Sequence, residues 1–338
     1  SKPATGDGNV GIGTATPQAL LDVNGSIFQR VPVTLTIKGS VQDNTNLNRP
    51  TGLFVSGRYA YVVSYLGNSL AVVDVSNPSS PVVVGSVSDA TNINSPRGVF
   101  VSGRYAYVTA NSGNSLAVVD VSNPAAPVVV GTVTDSVNLN APSGVFVSGR
   151  YAYVTPTDST RFTVVDVSNP SLPVVVGSVS DATNLNGPYG VFVSGRFAYV
   201  TIGAANRLTV VDVSNPVSPV VAGSVIDAAN LNVPYGVFVS GRYAYVASDT
   251  GNSLTVVDIN NSFGNYKVVG SVSDAVNLKR AAGVFVSGRY AYVVGATSNR
   301  LAVVDVSIPS GPVVVGIANS SNDLNVNAGG GTPLFVSG

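Results

Sequence analysis

The sequence predicts an all-β protein: a seven-bladed β-propeller made of four-stranded antiparallel blades. Three observations predict it: one phrase recurs at near-constant spacing, each unit holds four short β-rich runs, and turn-forming residues separate those runs. The phrase Val-Ser-Gly begins at Val55, Val101, Val147, Val193, Val239, Val286 and Val336, at spacings of 46 residues four times and then 47 and 50. No part of the unit shows a helical period of apolar residues. A four-stranded sheet cannot bury both faces alone, so units of this length stack on their neighbours.

In the unit that starts at Gly98, strand a covers Gly98–Val101, b Tyr105–Thr109, c Leu116–Val121 and d Val128–Val133. Ser102-Gly103 between a and b is a two-residue hairpin signal, because Gly reaches positive φ without a Cβ clash. Ser122-Asn123-Pro124 opens the turn after c, and Pro127 marks the entry to d. Asn138-Leu139-Asn140-Ala141-Pro142 then leads to the next strand a. Strand a occurs seven times, the last at Leu334-Phe335-Val336, and d seven times, the first at Val33–Ile37, whereas b and c occur clearly six times. The N-terminus is expected to supply the missing pair, Asn9–Gly13 as b and Ala19–Asn24 as c. Val10 to Asp22 spans the same 12 residues as Val108 to Asp120. On this reading residues 1–8 are an arm and 9–338 form one propeller. Its blades fall at about 52–97, 98–143, 144–189, 190–235, 236–282 and 283–331, and 332–338 joins 9–51 in the last. Val10, Ile12, Leu20 and Leu21, with Leu334, Phe335 and Val336, would close that blade within the chain or between chains.

Composition excludes much chemistry. The 338 residues contain no Cys, Met, His or Trp, so disulfides, thiolate nucleophiles, Cys/His zinc sites and every His-dependent triad are ruled out. Lys+Arg and Asp+Glu are 17 each, which argues against nucleic acid, since phosphate binding needs a clustered positive excess. Mean hydropathy is +0.33, yet apolar runs such as Val82-Val83-Val84 are far shorter than the ~20 residues of a membrane helix. Because translation starts at Met, the expectation is that either a lone initiator was trimmed before Ser1 or an upstream segment is absent, and that any signal peptide has been removed.

Leu70-Ala71-Val72-Val73-Asp74, preceded by Tyr-Ala-Tyr-Val, resembles the LVIVD-repeat family of bacterial and archaeal surface propellers, and the related YVTN-type surface-layer propellers share its Tyr-Val and Val-Asp signatures. The motif departs from the family name, reading LAVVD, LTVVD or FTVVD. Separately, Gly8–Gly25 resembles a segment common in bacterial and phage surface or fibre proteins. Both resemblances imply an extracellular location, and neither implies a reaction.

Each strand c carries one Asp, at Asp22, Asp74, Asp120, Asp166, Asp212, Asp258 and Asp305. Seven carboxylates could line a channel; the plainer expectation is that each caps its turn by accepting backbone N–H groups. Arg58, Arg104, Arg150, Arg196, Arg242 and Arg289 follow the a–b turns, as an anion-binding ring or, more simply, as blade-to-blade hydrogen bonds or solvated edge charges. Eleven of the fifteen Tyr lie in the b-strand motif, where period-two spacing puts both on one face for packing between blades. The d–a loops repeat Asp-x-x-Asn-Leu-Asn, from Asp89 (with Ile93 in place of Leu), Asp135, Asp181 and Asp227. Calcium is the one metal such oxygens could suit; with a single Asp per loop, Asx turns with Leu as a buried peg are expected and no cofactor is.

Between units strands a, c and d are nearly invariant, while the b–c loops differ and so does the residue before each strand-a Gly: Thr51, Arg97, Ser143, Tyr189, Tyr235 and Ala282. These loops share one face, so Arg97, Asp158, Tyr189, Tyr235 and Asp249 are the candidate binding residues, against drift in unconstrained loops. The sequence therefore leads to a non-catalytic extracellular structural protein that associates with itself, in a filament or surface layer, by exchanging terminal strands. The alternative is an adhesin or a glycan- or protein-binding propeller that uses the loop face. Catalysis is not expected, since no paired acidic constellation stands outside the repeat.

Overall fold

The structure is a computed structural model and describes residues 10–12, 21–23, 33–260 and 264–319. Six four-stranded antiparallel sheets follow one another along the chain. In blade 1, strands a to d are Pro50–Ser56, Tyr59–Ser64, Ser69–Asp74 and Val82–Ser88. In blade 2 they are Pro96–Ser102, Tyr105–Ala110, Ser115–Asp120 and Val128–Thr134. Blades 3 to 6 repeat the layout from Pro142, Pro188, Pro234 and Ala281, and their strands d end at Ser180, Ile226, Ser273 and Asn319. Each sheet is a simple meander; in blade 2, Tyr105 pairs with Ser102 on one side and with Asp120 on the other. The a–b hairpins form one residue later than expected: Ser102 pairs with Tyr105, so the two-residue loop is Gly103-Arg104, with Gly103 at φ 59°.

The core lies between blades. Strand c of blade 1 is buried from Ser69 to Val73, since a neighbour covers each of its faces. Tyr61, Val63, Leu70, Val72 and Ile93 pack with Val99 and Val101 of blade 2, so one apolar cluster spans the boundary. Fully burying a Leu or Val is worth about 1.5–3 kcal/mol, which makes each interface a substantial part of the fold's stability. Along the inner strands, Phe54, Phe100, Phe146, Phe192, Phe238 and Phe285 form a row of tilted rings with centroids 4.6–4.9 Å apart. The outer strands d each carry a bulge ahead of their Gly. That Gly is needed for close approach: a Cβ on Gly85 would stand 2.3 Å from the Pro124 carbonyl oxygen of the next blade.

The seventh blade expected from the chain ends is overturned, because the described residues form six four-stranded sheets. Val10–Ile12 and Leu21–Val23 do pair, but in parallel, Val10 opposite Leu21 and Ile12 opposite Val23. Strands b and c of a blade run antiparallel. The matching 12-residue offset carried no information on direction, and residues 9–24 lack the Tyr-Ala-Tyr side chains that fill the space between blades. Val33–Ile37, expected as a strand d, forms no ladder, although Gly39 beyond it packs against Pro78 and Ser79 as the strand-d glycines do. Leu20, Leu334, Phe335 and Val336 lie outside the described residues. The chain divides into two units, Ser1–Val33 and Thr34–Gly338. Among the described residues no helix is long and apolar enough to cross a membrane.

Candidate functional site

On the a–b turn face the two periodic charge sets satisfy each other. Arg58 pairs with Asp74, and the same pair recurs as Arg104–Asp120, Arg150–Asp166, Arg196–Asp212, Arg242–Asp258 and Arg289–Asp305. Each contact lies within one blade, not between blades, and each Arg also stands over the aromatic ring that follows it, as Arg104 does over Tyr105 at 5.3 Å. The Asp caps its turn as expected, for Asp120 accepts the Ser122 N–H at 2.9 Å. The Arg104 guanidinium, then Ser122, hold the Asp120 carboxyl down at about 2.

The d–a loop acids are likewise occupied by their own turns. Asp89 Oδ1 accepts the Thr91 and Asn92 N–H groups at 2.9 Å, and Oδ2 accepts Asn92 Nδ2 at 2.7 Å. The residue that follows, Ile93, is completely buried, as are Leu139, Leu185 and Leu231 at the same position.

Two backbone devices fix the variable face. The first joins blades: the Thr109 hydroxyl accepts the Gly98 N–H at 2.8 Å and donates to the Ser143 carbonyl of the next blade at 2.7 Å. Thr155 links Gly144 to Tyr189 in the same way, and Thr201 links Gly190 to Tyr235. The second device joins the loops. Asn68, Asn114, Asn206 and Asn252 in the b–c loops adopt φ of 46–50°, and their side-chain oxygens accept the N–H of Ser95, Ala141, Val233 and Arg280 at 2.8–2.9 Å. Those four partners are also left-handed, at φ 52–54°, a conformation that costs a β-branched residue such as Val233 the most. Blade 3 has Thr160 in place of the Asn, and there the partner position is Gly187, at φ 69°, which needs no such enforcement.

On this rigid frame Tyr189 and Tyr235 lie side by side, with ring centroids 4.4 Å apart. Burial, then the Tyr189 hydroxyl beside it, pushes the Tyr235 hydroxyl far above the ordinary phenol range, and the Asp249 charge acts in the same direction. Asp249 is buried, and its carboxylate takes Arg280 Nε at 3.0 and 3.3 Å. The structure thus brings together Tyr189, Tyr235 and Asp249 of the five expected residues. Asp158 is exposed and engaged through its backbone carbonyl, which accepts Asn140 Nδ2 at 2.8 Å. Arg97 joins a different group: its guanidinium carbon stands 5.5 Å from the Tyr65 ring centroid, with Arg49 on the same ring at 4.8 Å. Arg97 Nε is buried with no hydrogen-bond partner among the described residues.

Arg49 and Arg280 were missed by sequence reasoning. Both occupy the left-handed position ahead of strand a, where the other blades carry Ser95, Ala141, Gly187 and Val233. Comparing charge at that one position across the repeats would have found them.

No curated protein matches the chain. Among solved structures, the periplasmic gluconolactonase of Pseudomonas aeruginosa is similar at 19% identity and a TM-score of 0.65, covering 79% of this chain and 86% of that one. A provisionally assigned 6-phosphogluconolactonase of Bacteroides uniformis gives 16%, 0.66, 80% and 88%. The Cps50 (Swd1) β-propeller domain of Myceliophteria thermophila gives 13%, 0.65, 85% and 89%. At these identities the likeness is one of fold. The LVIVD repeat matches residues 51–89, 95–135, 142–181, 189–227, 235–266 and 279–320 and leaves the fibre-like segment at Gly8–Gly25 outside it. Each matched stretch takes in most of one blade, and together they cover more than half of the sequence, so the chain belongs to the LVIVD-repeat family.

Proposed function

We propose that this chain is a non-catalytic binding propeller of the cell surface, and that its ligand face is the one formed by the b–c and d–a loops. One observation carries the reading: three residues that vary between otherwise near-identical blades come together, Tyr189 against Tyr235 and the buried Asp249, paired with the half-exposed Arg280, beside them. Paired aromatic rings on a rigid frame offer a stacking surface that needs little ordering on binding. The acid–base groups there are poor catalysts. Asp249 is held by Arg280, and Tyr235 has its hydroxyl raised far from the working range of a general base. The likeness to lactonases supplies a fold and no residue roles.

The test is binding of the purified protein to an array of immobilised glycans, repeated with Tyr189→Ala and Tyr235→Ala. Loss of the captured glycans in both variants supports the reading; equal binding by wild type and variants removes it. A self-associating structural role has its own supporting observation. Val82, Val128, Val174 and Val220 at the starts of the outer strands are 47–55% exposed, forming an apolar row that a second copy could cover. Sedimentation across a concentration series, with Val128→Lys and Val174→Lys, decides that role: concentration-dependent assembly lost in the variants supports it.

A further inference from the structure

We infer that Arg49, Tyr65 and Arg97 form an oxyanion-binding subsite on the loop face, a site for a carboxylate, sulfate or phosphate group of a ligand. The inference rests on the loop face being the ligand face, and it names the chemistry taken there.

The comparison of blade 5 with blade 1 carries it. In both, the first residue of the b–c loop is tied by its N–H to the carbonyl of a left-handed residue, Asp249 to Val233 at 2.9 Å and Tyr65 to Arg49 at 3.0 Å. Blade 5 places a carboxylate at this position, and Asp249 neutralises Arg280. Blade 1 places Tyr65 there, and two guanidiniums gather on its ring. Neither forms an ion pair among the described residues, although Arg58, Arg104, Arg150, Arg196, Arg242, Arg280 and Arg289 all do. The acids nearest in sequence are committed: Asp43 accepts from Thr45 and Asn46, and Asp89 from Thr91 and Asn92.

Two cations on one ring repel each other, and the attraction of each for the ring face does not remove that repulsion. Arg97 Nε is buried and finds no hydrogen-bond partner among the described residues, so this guanidinium is not held by the protein as those of the paired arginines are. One oxyanion beside Tyr65 offsets that repulsion, since a guanidinium edge presents parallel N–H donors at the spacing of two carboxylate or phosphate oxygens. Tyr65 then serves as a fixed spacer that splays the two guanidiniums.

The experiment is a calorimetric titration of the whole chain with glucuronate, with inorganic sulfate and with glucose as the neutral control, alongside nitrogen-detected NMR of the arginine Nε groups. Saturable binding of glucuronate or sulfate but not glucose is expected, the better of the two naming the oxyanion. The Arg97 Nε resonance should shift on binding, and affinity should fall about ten-fold or more in Arg97→Gln and Arg49→Gln. Tyr65→Asp builds the internal carboxylate of blade 5 into blade 1; it should abolish anion binding while keeping the protein folded. Binding that survives Tyr65→Asp and both Arg variants, or no anion binding at all, overturns the inference. Tyr189→Ala/Tyr235→Ala is expected to leave the anion titration intact. Its loss of glycan capture therefore reports on the wider loop-face reading alone.

Discussion

At the residue scale, the most exacting positions are those where one side chain serves two blades. Thr155 accepts from Gly144 in a buried setting and donates to the Tyr189 carbonyl in a part-buried one. Thr155→Val keeps the shape and removes the hydroxyl, so a buried donor and a part-buried acceptor lose their partner. The expected loss is about 1–3 kcal/mol in urea-induced unfolding, and a loss below a few tenths would show that the strand ladder, not the hydroxyl, holds the junction. The Asn clamp makes a second prediction. Asn114→Ala removes the acceptor that holds Ala141 N–H in the left-handed region and should cost about 1 kcal/mol. Adding Ala141→Gly should recover much of that loss, because Gly adopts the conformation unaided; a double-mutant cycle measures the recovery as a coupling term.

The strand elements differ in how their glycines are used. Gly131 in strand d has its absent Cβ 2.2 Å from the Pro170 carbonyl oxygen of blade 3, whereas Gly103 in the hairpin faces open space at φ 59°. Gly103→Ala should cost about 1–2 kcal/mol from backbone strain alone. Gly131→Ala should cost more, because backbone must move against backbone, and denaturant midpoints of the two variants compare them directly. Element order, hairpins, buried pegs and turn caps were legible because a motif copied along the chain averages out local ambiguity. Tyr189 and Tyr235 were legible too, as variable residues on a constant frame. The blade count was not: residues 9–24 imitate the b–c spacing, but strand direction is set by hydrogen bonding that spacing does not encode. Nor was the Asp249–Arg280 pair, which joins residues 31 apart in the chain and has no sequence signature.

For the whole molecule, the six Arg–Asp pairs couple stability to acid. Each strand-c carboxyl is held below its ordinary value of about 4, Asp120 and Asp166 at about 2, chiefly by the partnering Arg. A depressed folded value means that the unfolded chain binds protons first, so this contribution is complete above about pH 4 and is lost as pH falls towards 2. Melting temperature should therefore be level through neutral pH and decline across that acid window, and Asp120→Asn should flatten part of the decline. A decline centred near pH 6 would contradict the assignment, the chain having no His. The Asn clamp has a consequence for how such a chain can diversify. A b–c loop and the d–a loop it grips behave as one cassette, as the joint change to Thr160 and Gly187 in blade 3 illustrates. Recombination between repeats that imports one loop without the other strands a left-handed Ser, Ala or Val with no acceptor. Grafting new recognition loops onto this scaffold should succeed by pairs and fail by halves.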